Sequence, residues 1–217
     1  MKNIPRIFIG DNINVGTIIP LQRETLHYLT RVMRTRNCLV FGNGNEYSAT
    51  VSDDDKNLII GDKTSHIDPS NNITLMFSPI KHTDDLINMA TQMGVARFLP
   101  VITERTVAHH INWGRMRKIA TESAEQSNRN SVPEILEPIK FTDLNLSDVV
   151  FADERAAYGA ETSTDFNTTK ILVGPEGGFS DKEFSALDAA GARGVSLGKT
   201  ILRAETAAIV ALAKIIK

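Results

Sequence analysis

Two stretches near the carboxyl terminus combine glycine with residues able to hold or polarise a ligand. Leu172-Val173-Gly174-Pro175-Glu176-Gly177-Gly178-Phe179-Ser180 is an apolar run passing into a glycine-rich turn, with Asp181, Lys182 and Glu183 behind it. Its glycines let backbone groups approach a ligand closely. Ser180 and Glu183 spell a capping box for a following helix. No Gly-Lys-Ser/Thr follows, so the turn is not a Walker A loop, nor does it have the G-x-G-x-x-G spacing of a dinucleotide site. The second stretch, Leu197-Gly198-Lys199-Thr200-Ile201-Leu202-Arg203-Ala204-Glu205-Thr206-Ala207, repeats the plan: a short apolar run, a glycine, a loop, and a helix start flanked by Arg203 and Glu205. Taken singly, each reads equally well as a connector, the second with a surface ion pair. Two such loops 25 residues apart in one domain point to a shared pocket, because ligands bind at the carboxyl ends of strands in open α/β sheets.

The elements that must position these loops alternate. Ile73–Ile80, Arg97–Thr103, Val149–Ala152, Lys170–Val173 and Val195–Leu197 are strand candidates, and Asp84–Met93, Trp113–Asn128 and Asp181–Ala190 are helix candidates. This rhythm predicts a parallel α/β sheet. Ahead of it, Ile7–Ile9, Cys38–Phe41, Glu46–Val51 and Asn57–Gly61 are β-prone and separated by turn chemistry, with one basic helix over Arg23–Arg34. The polar run 63–72 reads as a linker, so the expected domains are 1–68 and 73–217. The closing helix, Ala204–Lys217, has almost no polar face. Such a helix needs cover on more than one side, which predicts a homodimer.

Composition bounds the rest. One cysteine, Cys38, excludes an intrachain disulfide and a cysteine metal cluster. No stretch approaches the roughly 20 apolar residues of a membrane span, and the first ten residues lack a signal peptide's apolar region, so a cytoplasmic protein without membrane association is expected. Net charge is −2, but residues 1–36 carry +4 and residues 97–129 carry +3. These clusters read either as a footprint for phosphate or as solvated surface. His109-His110 is not expected to bind metal, since adjacent histidines face different ways and no carboxylate sits at ligand spacing. Trp113 reads as core or as the start of its helix.

The pair of stretches at 172–180 and 197–207 closely resembles the RsmE family of ribosomal RNA uridine-N3 methyltransferases, within the SPOUT superfamily. The likeness extends over the whole chain. His27-Tyr28-Leu29-Thr30-Arg31-Val32-Met33-Arg34, onward to Phe41, looks like that family's PUA-like RNA-binding unit, and Glu125–Glu134 looks like its central segment. The resemblance implies a C-terminal SPOUT-type α/β domain whose end threads a trefoil knot, a small N-terminal β-rich PUA-like domain, and a dimer with its site at the subunit interface. It implies S-adenosyl-L-methionine as cofactor, its adenosine lying against Leu172, Gly174, Gly177, Leu197, Gly198 and Leu202. The implied substrate is a uridine in small-subunit (16S) ribosomal RNA, met as RNA or in the assembled subunit. Lys81 matches the family pattern. Met89 and Gln92 depart from it, standing where the family carries a lysine and then Glu-Leu-Gly.

Methylating N3 of uridine requires removing an imide proton from a base that is not paired, with positive charge near the developing anion. Arg203 is the candidate for that charge or for gripping the target phosphate. Arg129 is a second candidate, if the polar stretch 125–130 faces the pocket. Glu205 would accept a proton, hold Arg203, or serve only as a helix N-terminal charge. Glu176 is expected to tie the loop's amides. Arg6, Arg23, Arg31 and Arg34 are the expected phosphate contacts, each equally readable as plain surface. The competing readings are a non-catalytic RNA-binding protein on a degenerate knot and a methyltransferase acting on tRNA.

Overall fold

The structure, a computed structural model, describes residues 4–10, 12–68, 71–107 and 111–216. The expected non-metal pair His109-His110 lies outside the described residues. The chain divides into two compact units, Met1–Ser70 with Thr121–Val132, and Asn71–Ala120 with Pro133–Lys217.

Among the described residues the first unit builds a five-stranded sheet. It uses β1 (Arg6–Phe8), β2 (Ile18–Pro20), β3 (Asn37–Gly42), β4 (Asn45–Val51) and β5 (Asn57–Lys63) in the order β1-β3-β4-β5-β2. β1 runs parallel to β3, and the other pairs are antiparallel. Burial alternates along β4 from Tyr47 to Val51, the pattern of a strand with one face in the core. Val40, Tyr47, Ala49, Leu58 and Ile60 form that core with Leu29. Three-residue β2, closed by Pro20, sits at the sheet's edge, where a missing N–H is tolerated.

The basic helix differs from expectation. It is α1 (Arg23–His27) followed by a π-helical turn, Tyr28–Val32, in which Met33 N donates to Tyr28 O at 2.9 Å. The β-branched Thr30 and Val32 weaken a regular helix here, and Thr30 turns its hydroxyl back to Leu26 O at 2.8 Å. The segment 121–132 also departs from the expected boundary. Phe8 N donates to Glu125 Oε1 (3.0 Å), Gly44 N to Asn130 O (3.0 Å), and Asn130 N to Asp68 Oδ2 (3.1 Å). Bonds between residues so distant along the chain leave no local signature in it.

The second unit holds β6 (Thr74–Phe77), α2 (Thr83–Gln92), β7 (Arg97–Ile102), α3 (Trp113–Gln126, which crosses into the first unit after Ala120), β8 (Glu134–Ile135), β9 (Ile139–Lys140), β10 (Val150–Ala152), β11 (Lys170–Val173), α4 (Asp181–Ala189), β12 (Arg193–Val195) and α5 (Ala204–Ile215). The sheet order is β12-β10-β11-β6-β7-β8 with β9 also on β7, and every pair is parallel. β6 and β10 are buried along their whole length, as strands covered on both faces must be. The chain builds outward from β6 through β7, crosses to β10, returns through β11 between β10 and β6, and ends with β12 at the far edge. That reversal is a topological switch, where open α/β sheets place ligands.

The last strand is corrected from Val195–Leu197 to Arg193–Val195. A Cβ on Gly194 would stand 2.6 Å from Asp153 Oδ2 and 3.1 Å from the Phe151 ring, so β12 fits beside β10 only with a glycine in mid-strand.

Candidate functional site

Because β12, β10 and β11 are parallel neighbours, their carboxyl ends meet, and the chain leaving each one walls a cleft of about 270 Å³. Asp153, Glu154 and Tyr158 come from the turn after β10, Val173 from the end of β11 and residues 174–178 from the turn behind it, and Leu197, Gly198, Ile201 and Leu202 from the loop after β12.

The glycine-rich turn is pinned from below. Phe179 is 1% exposed and stacks edge-on against Phe151 (6.1 Å) and Phe184 (5.6 Å). Ser180 caps α4 as the sequence predicts. Its hydroxyl accepts from Glu183 N at 3.3 Å while Glu183 Oε2 accepts from Ser180 N at 2.8 Å. The buried Glu183 also accepts Glu104 N at 2.8 Å, tying the turn after β7 to α4. From that turn Arg105 Nη1 donates to the carbonyls of Gly177 (2.8 Å) and Phe179 (3.2 Å). Glu176 Oε1 accepts from Lys81 N at 2.9 Å, so it ties the turn to the segment after β6 rather than binding the amides of its own loop. Gly178 has φ +68°, and a Cβ there would run into the carboxylate of Glu154. The left-handed backbone favours glycine here, and a side chain would oblige the Glu154 carboxylate to move from where it lies.

The charges beside the cleft are graded. Asp153 is buried and neutralised: it accepts from Arg155 N (3.0 Å), Nε (2.9 Å) and Nη2 (2.8 Å), while the same guanidinium reaches Asp188 (2.8 Å) and lies over the Phe184 ring (4.2 Å). Hydrogen bonds to Asp188 and Asp153 push the Arg155 guanidinium up. Burial, reinforced by Asp153, pushes the Glu154 carboxyl above its usual range, and Arg105 and Arg155 only partly oppose this.

Of the sequence-derived cofactor residues, Gly174, Gly177, Leu197, Gly198 and Leu202 line the cleft, while Leu172 is fully buried in β11 and its neighbour Val173 reaches the wall instead. Arg203 is the exposed N-cap residue of α5 and Glu205 lies in that helix's first turn. Neither is a lining residue, although Leu202 and Ala204 beside them are. Arg129 belongs to the first unit, is 8% exposed, and bonds Ser131 Oγ at 3.3 Å with Asp68 facing it. Its guanidinium is engaged there, so the catalytic role expected for it is not carried forward.

Arg6 is corrected in the same way. Its side chain is 7% exposed, bonded to Glu46 (2.8 Å) and Asn130 (2.6 Å) and laid over the Phe41 ring (4.7 Å). A charge so engaged inside the fold is not a phosphate contact. Arg23, Arg31 and Arg34 are exposed. Gln92 lies on the exposed face of α2, bonded to Asn88 at 2.8 Å, and Trp113 opens α3.

Sequence reasoning missed the wall formed by 152–158. The signal was present as Asp153-Glu154-Arg155 directly after an apolar strand, a third strand end of the same kind as the two singled out. Among the described residues no cluster of three or more His, Cys, Asp or Glu could hold a metal ion, and no helix is long and apolar enough to cross a membrane.

Comparison with known proteins agrees with this geometry. Residues 68–216 match the model of an RNA methyltransferase domain, and residues 21–63 match an RNA methyltransferase PUA domain. The class is therefore an RNA methyltransferase with an N-terminal PUA domain and a SPOUT-type α/β domain. The chain is 31% identical to the ribosomal RNA small subunit methyltransferase E of Rickettsia conorii, over 97% of this chain and 94% of that one. It is 30% identical to the Synechocystis protein of the same name, over 97% and 76%. The crystal structure of the Neisseria gonorrhoeae methyltransferase E bound to S-adenosyl methionine superimposes with a TM-score of 0.81 at 28% identity, covering 97% of this chain and 96% of that one. The chain belongs to the ribosomal RNA small subunit methyltransferase E family.

Proposed function

We propose that this protein uses S-adenosyl-L-methionine to methylate N3 of a specific uridine in small-subunit (16S) ribosomal RNA. The observation that carries the reading is the convergence of three strand-end turns on one cleft, with Gly178 in the left-handed region against the Glu154 carboxylate. The residues fit the cofactor. Leu197, Ile201 and Leu202 supply apolar surface for an adenine ring, and the 173–178 and 196–202 backbones supply polar groups, the usual make-up of a small-ligand site. Bound there, S-adenosylmethionine supplies the electrophilic methyl group.

The chain's own residues do the rest. The two loops orient the reactants. The Arg203 side chain has no hydrogen-bond or ion-pair partner among the described residues, so its guanidinium is free to stabilise the uridine anion or grip its phosphate. Glu205, in the first turn of the helix that Arg203 opens, receives the imide proton or steadies Arg203. Residues 73–217 serve as the catalytic SPOUT domain with a trefoil knot at its carboxyl end, and 1–68 as a PUA-like RNA-docking domain in a cytoplasmic protein. The direct test is transfer of labelled methyl groups to small subunits from a strain lacking this gene, followed by nucleoside analysis. Label in 3-methyluridine of small-subunit RNA is expected. Label confined to tRNA would transfer the activity to another substrate, and none at all would favour a non-catalytic RNA-binding protein.

Docking falls to Arg23, Arg31 and Arg34. Replacing all three with alanine is expected to weaken RNA binding and to flatten the slope of log K against log salt by roughly 2 to 3, at 0.7–0.9 per phosphate contact. Cofactor affinity should not change. RNA titrations at several salt concentrations read this, and an unaltered slope removes the three residues from the interface.

A homodimer completes the proposal. α5 is apolar on nearly every side, with Ile209 and Val210 only half-buried, and Ile201 (59%) and Tyr158 (76%) stand exposed beside the cleft. A second copy would cover these surfaces. Light scattering at micromolar concentration should return twice the chain mass of 23.9 kDa, and a monomer would count against the dimer.

A further inference from the structure

We infer that Glu154 is the residue by which the cleft recognises the positive charge of its ligand, pairing with the cationic methionine portion of S-adenosylmethionine rather than with its nucleoside. The inference rests on the cofactor reading above and adds a specificity-determining residue to it.

The charged side chains that line the cleft are Asp153, Glu154 and Glu176, three carboxylates and no lysine or arginine. Two of the three are spoken for. Asp153 receives three donors from Arg155, as described, and Glu176 is exposed to solvent and accepts Lys81 N. Glu154 is different. It is half-buried, its Oε1 lies against the Cα of Gly178, and no hydrogen-bond donor among the described residues reaches it.

The nearby cations face it only indirectly. Arg105 directs Nη1 to the Gly177 and Phe179 carbonyls, and Arg155 clamps Asp153 and Asp188. Burial and Asp153 outweigh both arginines at this carboxyl, which is held above its ordinary range. A desolvated carboxylate short of positive charge, set in the wall of a cavity, favours a ligand that brings a cation. S-adenosylmethionine carries a sulfonium and an ammonium against one carboxylate, net positive. S-adenosylhomocysteine keeps the ammonium and loses the sulfonium, and methylthioadenosine has neither.

Calorimetry of the full chain, wild type and Glu154→Gln, with these three ligands tests the assignment. Glutamine keeps the shape and the packing on Gly178 while removing the charge, and the variant's melting temperature checks that the fold is retained. E154Q should bind S-adenosylmethionine about 10-fold more weakly, equal to about 1.4 kcal/mol, and methylthioadenosine within twofold of wild type. The homocysteine arm then assigns the charge. An unchanged affinity there places Glu154 against the sulfonium, and an equal loss places it against the ammonium. If E154Q weakens methylthioadenosine as much as S-adenosylmethionine, Glu154 shapes the loop or holds the ribose, and the inference is overturned. Unaltered affinities for all three overturn it as well. If wild-type protein binds none of the ligands, the cofactor reading itself fails, an outcome distinct from the others.

Discussion

Arg203→Ala is expected to lower methyl transfer about 100- to 1000-fold, the usual effect of removing one preorganised group that stabilises a developing anion, while leaving cofactor affinity nearly intact. Arg203 caps α5 through its backbone alone. Ala207 N donates to Arg203 O at 2.7 Å, and the side chain makes no capping bond. The substitution therefore removes an exposed guanidinium without touching the helix start, and surface changes of that kind shift stability by about 0.5 kcal/mol or less. The lining residues Leu202 and Ala204 stay in place on either side. Single-turnover rates with saturating cofactor, set beside calorimetric affinities, separate the two effects. Unchanged turnover would take Arg203 out of the reaction.

Gly178→Ala should have the larger effect on binding. Its φ of +68° costs an L-residue about 1–2 kcal/mol, and the new Cβ must also displace the Glu154 carboxylate. Both penalties fall on the wall that holds the ligand, so affinity for S-adenosylmethionine should drop at least about 10-fold, and the melting temperature by about 2–8 °C. Gly177→Ala is the matched control. Its φ lies outside the left-handed region and the nearest atom to an added Cβ is Arg105 Cδ at 3.5 Å, an ordinary contact, so its stability should match wild type within about 0.5 kcal/mol. Equal behaviour of the two alanine variants in thermal melts would show that Gly178 is not under the constraint described.

The repeated strand-to-glycine pattern at 172–180 and 197–207 is legible in the sequence alone, because apolar strands, glycine turns and a capping box are all written within a few residues of one another. The parallel sheet was legible from the same rhythm. What escaped the sequence was of longer range. The sequence puts β12 two residues late, because the fit of Gly194 against Asp153 and Phe151 that seats the strand beside β10 is a long-range contact. The third wall of the cleft, Asp153 to Tyr158, was passed over because its charges resemble a solvated loop, and only the adjacency of β10 to β11 and β12 makes them part of the site. Arg6 reads in the sequence as a phosphate contact or as plain surface, because the partners that hold it inside the fold, Glu46 and Asn130, lie 40 and 124 residues away. Short β2, β8 and β9 carry too few residues to show a period, and their pairing comes from neighbours already in the sheet.

Titrating isotopically labelled protein with S-adenosylmethionine, and following backbone amide resonances, tests the single-cleft account most directly. The largest shifts should fall on Glu154, Gly174, Gly177, Gly178, Leu197, Gly198 and Leu202 together, in one saturable event. Shifts gathered in another part of the chain, or at one of the three turns without the others, would contradict it.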